Sequence, residues 1–252
     1  MSVNFTCGAD PEFFLLRNKQ HVSAIGLVGG TKDEPRPLAK EGCAVQEDNV
    51  SVEFNIAPSH NHKEFIEQIQ YVLAEIRKEL PQYEFSQESA VLFNQEELWH
   101  PQAMEFGCEP DFNAWTKEIN PRPCATDATL RSAGGHVHVG TDQDPIEVIR
   151  AMDLFLGVPS VEMDAGTLRR QLYGKAGAFR PKSYGCEYRT LSNFWIWSEK
   201  TMEWVFKQAE KAVEFVKSGN RLSDDDGKTI QLCINNGDKD AYNHLVKAYG
   251  LA

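Results

Sequence analysis

The 252-residue chain lacks the features that mark several large functional classes. No apolar run approaches the ~20 residues that a membrane-crossing helix requires. Positive charge is in deficit, with 26 Lys and Arg against 37 Asp and Glu and a formal charge of −11. That field repels phosphate-rich surfaces, so neither nucleic acid nor an anionic membrane is an expected partner. The opening residues, Met-Ser-Val-Asn-Phe-Thr, carry neither the basic nor the apolar stretch of a leader peptide. Six cysteines, at positions 7, 43, 108, 124, 186 and 233, form no C-x-x-C pair. Such wide spacing suits reduced intracellular thiols rather than a disulfide framework, and a cytoplasmic location is expected. A G-x-x-x-x-G-K-[ST] loop is missing, and Gly26 to Gly30 is too irregular for a dinucleotide loop. Neither a P-loop enzyme nor a Rossmann dehydrogenase is therefore expected. Without repeats or low-complexity segments, residues 1–252 read as one domain with ample material for a packed core.

What is present begins with helical periodicity. Asn61-x-x-Glu64 reads as a capping box, followed by Phe65, Ile66, Ile69, Val72, Leu73, Ile76 and Leu80 at helical spacing. Asp144-Pro145 supplies an N-cap and a proline at the first helical position, opening a helix through Ile149, Met152 and Phe155. A long helix is expected from about Ser192 to Gly219, and two short ones near Lys228–Asn235 and Asp238–Tyr249. Short strands are expected at Phe5–Leu16, Val50–Pro58, Gly135–Gly140 and Cys186–Leu191, each bounded by Gly, Pro or turn residues. They do not alternate regularly with helices. The expected class is therefore α+β, with a largely antiparallel sheet covered by helices on one face.

These strands carry polar pairs at the spacing that aims both members the same way. Glu53 and Asn55 oppose the apolar Val52, Phe54 and Ile56, while His136 and His138 oppose Val137 and Val139. Asp10 and Glu12 share a parity, as do Glu187 and Arg189. On one sheet, the polar face would gather four carboxylates, two histidines and an arginine. Gly134, Gly135 and Gly140 around the histidines allow other backbone or a ligand to approach closely. Like charges at such range raise one another's pKa, and oxygen-rich ligation with an imidazole points to Mg²⁺ or Mn²⁺ rather than Zn²⁺.

A local reversal of charge accompanies this face. Arg169, Arg170, Lys175, Arg180, Lys182 and Arg189 lie within 21 residues that hold one acid, Glu187. This segment carries +5 and the remainder of the chain −16. With Gly174, Gly177 and Gly185 it reads in part as a flexible loop. Basic side chains beside an acidic, cation-binding cluster suit phosphoryl chemistry. Arg169, Arg170 and Lys182 become candidate nucleotide-binding residues.

Gly8-Ala-Asp-Pro-Glu-Phe-Phe-Leu resembles the glutamine synthetase strand that supplies two metal ligands, and Gly134-Gly-His-Val-His-Val resembles the G-x-x-H-x-H strand of those enzymes. Cys186-Glu-Tyr-Arg resembles their E-x-R strand and Val52-Glu-Phe-Asn-Ile-Ala-Pro their W-E-F-Q-x-x-P, all in the same order along the chain. The chain lacks the N-terminal domain of glutamine synthetase and is more similar to the compact phage-type COOH–NH₂ ligases of that superfamily. Signatures resembling that group stand at Gly107-Cys-Glu-Pro-Asp-Phe, Arg131-Ser-Ala-Gly-Gly-His-Val-His and Phe179-Arg-Pro-Lys-Ser-Tyr-Gly-Cys-Glu-Tyr-Arg. The likeness implies a curved sheet like the glutamine synthetase catalytic domain, with two or three Mg²⁺ or Mn²⁺ ions on it. Asp10, His136 and Glu187 would form one metal site, Glu12 and Glu53 another. His138 would contact ATP phosphate, and Arg180 and Arg189 the transferring phosphoryl group. A further acid upstream of Glu53 belongs to the pattern, and Glu47 and Asp48 compete for it, either being a candidate base for the amine. Asp10 stands where those enzymes have Glu.

The expected activity is thus ATP-dependent joining of a carboxylate to an amine through an acyl phosphate, on small-molecule or peptide substrates. The alternatives are a metal-dependent phosphotransferase acting on a guanidino or amine group, and a non-catalytic binding module on the same fold. Gly107–Asp111, with Phe112 and Trp115, are candidates for the substrate side. Oligomeric state is not legible in the sequence.

Overall fold

Alternation of apolar and polar side chains along the strands decides how this chain is layered. The computed structural model describes residues 4–104, 111–121 and 127–251. In chain order the early strands are β1 (Thr6–Phe13), β2 (Leu15–Arg17), β3 (Gln20–Val22), β4 (Arg36–Pro37), β5 (Ala44–Asp48), β6 (Ser51–Asn55) and β7 (Glu84–Phe85). Then come β8 (Ala90–Leu92), β9 (Phe112–Asn113), β10 (Leu130–Ser132), β11 (Gly135–Gly140), β12 (Ala178–Lys182) and β13 (Gly185–Tyr188). Eight of them form one open sheet in the order β4-β5-β6-β1-β11-β13-β12-β9, and every pairing in it is antiparallel. The expected α+β class holds.

Helices α1 (His62–Glu79), α3 (Pro145–Met152) and α6 (Glu199–Lys217) pack on one another and share the core with the apolar face of this sheet. Cys7, Ala9, Val52, Phe54, Val137, Val139, Cys186 and Tyr188 point into that core. Phe65 of α1 stacks on Trp195 at 5.8 Å, and Phe206 of α6 meets Phe5 edge-on at 5.3 Å. Each such side chain, fully buried, contributes about 1.5–3 kcal/mol relative to exposure. The core draws on residues from Phe5 to Leu251, and a smaller cluster gathers Phe14, Val50, Val91, Phe93 and Leu98. Among the described residues no helix is long and apolar enough to cross a membrane. Cys7, Cys43, Cys186 and Cys233 are buried and free, and Cys108 and Cys124 lie outside the described residues.

Several local expectations need correction. The Asn61 side chain caps α1 by accepting the Glu64 N–H at 3.0 Å, but the Glu64 carboxylate accepts from His60 N–H rather than closing the box. The helix expected from Ser192 divides in two. A 3₁₀ turn over Asn193–Trp197 ends at Ser198, whose side chain accepts the Thr201 N–H and starts α6 afresh. The helix opening at Pro145, with Asp144 capping as expected, runs on past Phe155. It passes through a π-helical turn (Asp153–Gly157) into α4 (Val158–Met163). A reciprocal Ser223–Asp226 box makes α7 (Asp224–Asn236) start four residues earlier than Lys228. The basic segment is in part a loop, as expected. Its middle is the β12–β13 hairpin, with Arg180 opposite Glu187.

Candidate active site

Strand register brings the polar pairs onto one face. Asp10 lies opposite His136, Gly8 opposite His138, and Glu12 opposite Glu53. His138 faces Glu187, which in turn faces Arg180. On the far side of β6, Gln46 pairs with Glu53, and Asp48, two residues on, shares its parity. Side chains that alternate locally therefore converge from positions up to 177 residues apart in sequence.

Among the described residues, two groups of potential cation ligands result. In each, one ligand atom from every member lies within 4.8 Å of the others: Asp10, His138 and Glu187 in the first, Glu12, Asp48 and Glu53 in the second. In the first group Asp10 Oδ1 is 2.9 Å from His138 Nε2 and 3.5 Å from His136 Nδ1. Asp10 Oδ1 and His138 Nε2 form an ion pair with each other and Glu187 Oε2 with Lys182 Nζ, although the buried Asp10 Oδ1, His138 Nε2 and Glu187 Oε2 lack the alignment of a full hydrogen bond. The three side chains converge on shared space, as ligands around a cation do. Burial favours the neutral form of Asp10, but His138 and His136 overcome it and hold the carboxyl well below its usual range. Burial and Asp10 likewise act to raise Glu187, and Arg189, His136 and His138 outweigh them and bring it down to about 2. The other ring nitrogen of His138, Nδ1, is hydrogen-bonded to the Tyr184 hydroxyl.

The second group behaves oppositely because burial and mutual repulsion outweigh the arginines that reach it, Arg169 and Arg189. Burial, then Asp48, push Glu12 up to about 7. Burial also raises Glu53 well above the usual range, helped by Asp10, Glu12 and Asp48. Each carboxylate is nevertheless held in place. Glu12 Oε2 accepts the Gly134 N–H at 2.9 Å. Glu53 Oε2 accepts from Gln46 Nε2 at 2.8 Å, and Gln46 Oε1 accepts from Asn55 Nδ2 at 2.8 Å.

Basic side chains adjoin the first group. Lys182 Nζ is 2.7 Å from Glu187 Oε2, Arg180 Nη1 is 3.7 Å from Glu187 Oε1, and Arg189 Nη1 contacts the same oxygen. Asp111 Oδ1 lies 2.8 Å from Arg189 Nε and 3.3 Å from Arg180 Nε. Beneath them His136 is buried, with Arg169 Nη2 3.3 Å from its Nε2 and Arg189 Nη1 3.2 Å from its Nδ1. Burial, then Arg189, lower His136 to about 4, so its ring is neutral at pH 7. A Cβ on Gly134 would come within 2.3 Å of His136 Nε2 and 2.7 Å of Arg169 Nη2. That glycine admits two protein side chains. At Gly135 the close neighbour is the Ser192 carbonyl.

The structure separates candidates that the sequence left together. His138, which the resemblance gave to ATP phosphate, also groups with Asp10 and Glu187, while His136, whose Nδ1 is 3.5 Å from Asp10 Oδ1 and 4.0 Å from Glu187 Oε1, is in addition engaged by two arginines. Asp48 joins Glu12 and Glu53, whereas Glu47 faces the opposite side of β5. There Glu47 Oε1 accepts backbone N–H groups of Gly26, Val28 and Gly29 and holds a turn. Arg169 reaches the site, but Arg170, next to it on helix α5 (Thr167–Leu172), is tied to Asp164 at 3.3 Å and to the Asp164 carbonyl at 3.1 Å. Tyr184 and Gln46 are additions. Gln46 shares the parity of Asp48, which is a readable signal once β5 is recognised; Tyr184 sits in a hairpin turn and has none. Of the Gly107–Asp111 motif, residues 107–110 lie outside the described residues.

A family model, described as phage phiEco32-like COOH.NH2 ligase-type 2, matches residues 117–249, just over half of the chain. No curated protein matches it.

Proposed function

The chain belongs to the phage phiEco32-like COOH-NH2 ligase type 2 family, which supports carboxylate–amine ligase activity in general, and we propose that it uses ATP and an acyl phosphate to perform it. In this reaction a substrate carboxylate oxygen attacks the terminal phosphorus of ATP, and the bond to ADP breaks. An amine then attacks the acyl carbon, loses a proton and displaces inorganic phosphate, leaving an amide. The carboxylate alone is a poor electrophile, and phosphorylation gives it a leaving group.

The observation that carries the reading is the convergence of the Asp10, His138 and Glu187 side chains, whose buried Asp10 Oδ1, His138 Nε2 and Glu187 Oε2 lack the alignment of full hydrogen bonds, beside Lys182 and Arg189. A set of carboxylate oxygens with one imidazole suits Mg²⁺ or Mn²⁺. Asp10, His138 and Glu187 would hold one such ion and Glu12, Asp48 and Glu53 another. Bound ions would neutralise polyphosphate charge and polarise the phosphoryl oxygens. Arg180, Arg189 and Lys182 then donate hydrogen bonds to the transferring group as its charge redistributes. Arg169 steadies the site from below through its contact with His136 and its Nε bond to the Ala133 carbonyl at 2.9 Å. Of the two acids upstream of Glu53, Asp48 is the one that lies beside Glu12 and Glu53 and would join them on the ion, so the amine's proton leaves with the departing phosphate.

The test is ADP release with Mg²⁺ over mixed amino acids, polyamines and small peptides, followed by mass spectrometry of any hit. The expected product has the summed mass of the two substrates less one water. Glu187→Gln should abolish its formation with the fold retained. A stable phosphorylated amine in place of an amide would instead indicate a phosphotransferase. Turnover that is absent, or indifferent to metal, would overturn the proposal.

A further inference from the structure

Asp111 has no part in the scheme above, yet it touches both arginines that the scheme gives to the transferring phosphoryl group. One of its oxygens, Oδ1, is 2.8 Å from Arg189 Nε and 3.3 Å from Arg180 Nε. Asp111 Oδ1 and Arg189 Nε are both buried, and neither has the alignment of a hydrogen bond. The pair therefore gains Coulomb attraction but leaves a donor and an acceptor short of full satisfaction. A phosphoryl group carries more charge on three oxygens, so it is the better partner for a guanidinium edge.

The rest of the arrangement survives loss of this contact. Arg189 Nη1 remains on Glu187, and the Arg189 carbonyl accepts from Arg169 at 3.4 Å. The Asp111 backbone is anchored separately, its carbonyl accepting the Asn120 N–H at 2.7 Å. Only the carboxylate has to turn away. We infer that Asp111 is a displaceable internal anion. It neutralises the arginine pair before nucleotide binds, yields to the terminal phosphoryl group, and returns as phosphate leaves. Nucleotide affinity is then set by competition with a carboxylate of the protein itself. This rests on Arg180 and Arg189 being phosphoryl-binding residues, as proposed above.

The test is calorimetric titration of the protein with the β,γ-imido analogue of ATP and Mg²⁺, together with a crystal structure of that wild-type complex. Asp111→Asn removes the competing charge and should tighten binding within the 5- to 150-fold range typical of coupled sites, about tenfold being expected. Arg189→Gln should weaken it. In the wild-type complex Arg189 Nε and Asp111 Oδ1 should lie beyond the ~4 Å limit of an ion pair. Unchanged or weaker binding by a folded Asp111→Asn protein overturns the inference. So does an intact pair in the complex, which decides the matter even if the variant fails to fold. Binding that depends on Arg189 but ignores Asp111 overturns the inference alone. Binding indifferent to Arg189→Gln overturns its premise as well.

Discussion

Replacing Glu12 by Gln should stabilise the metal-free protein while weakening its response to cations. Glu12 is pushed up to about 7 by burial and by Asp48, against an ordinary value of 4.5. For a carboxyl raised on folding, the native state holds its proton where the unfolded chain has released it. The penalty thus develops as pH rises from 4.5 to about 7 and is complete above that. The shift corresponds to at most about 3 kcal/mol. Gln carries no charge, and its carbonyl can still accept the Gly134 N–H that Glu12 accepts at 2.9 Å. In EDTA at pH 8 the variant should therefore melt higher, by about 2–4 °C for each kcal/mol recovered. Each occupied site should add about 2.7 kcal/mol with Mn²⁺ at 100 times its dissociation constant, so the variant, keeping only the Asp10 group, should gain about half as much as the wild type. Differential scanning calorimetry at pH 5 and pH 8, with EDTA or Mn²⁺, reads all four conditions. A variant that melts lower in EDTA at pH 8, or responds to Mn²⁺ as the wild type does, would refute the reasoning.

The adjacent acids of β5 should separate cleanly. Asp48→Asn should lose Mn²⁺ affinity and ligase turnover while melting somewhat higher in EDTA at pH 8, since Asp48 helps to push up Glu12 and Glu53. Glu47→Gln should keep turnover and lose about 1–3 kcal/mol of stability, since its carboxylate serves three backbone N–H groups; denaturant titration and ADP release check both. Tyr184→Phe removes the hydroxyl that fixes the His138 ring and should weaken Mn²⁺ binding about 10- to 100-fold, measured by electron paramagnetic resonance. Asp153 is buried, bonded by Trp115 at 2.7 Å and Tyr188 at 2.8 Å, and burial raises its carboxyl to about 7 from 3.8. Wild-type stability should accordingly decline from pH 4 to 7 by up to about 4 kcal/mol through this group, and Asp153→Asn should flatten that decline in denaturant titrations.

Both the polar face and its rough chemistry were legible in the chain. Val137 and Val139 against His136 and His138, or Val52 and Phe54 against Glu53, announce a strand with one apolar and one polar side. The structure keeps those sides. Helix α1 was legible for the same reason, its apolar positions recurring at the helical period. In the basic segment Gly174 and Gly177 do lie in a loop, as expected, and only Gly185 misled. Gly185 in fact begins β13, where a Cβ would come within 2.2 Å of the Val139 carbonyl.

Taken alone, the sequence determined which residues share a face of each strand, since that parity depends only on alternation along a few residues. Tertiary structure decided which strand lies beside which, and in what register. That choice brought His138 as well as His136 beside Asp10 and Glu187, set Asp48 with Glu12 and Glu53, and turned Glu47 and Arg170 to other tasks. These outcomes depend on partners such as Asp10 and Glu187, distant in sequence and adjacent only because β11 lies between their strands. A local pattern holds no record of such neighbours. The packing of the whole apolar face selects them.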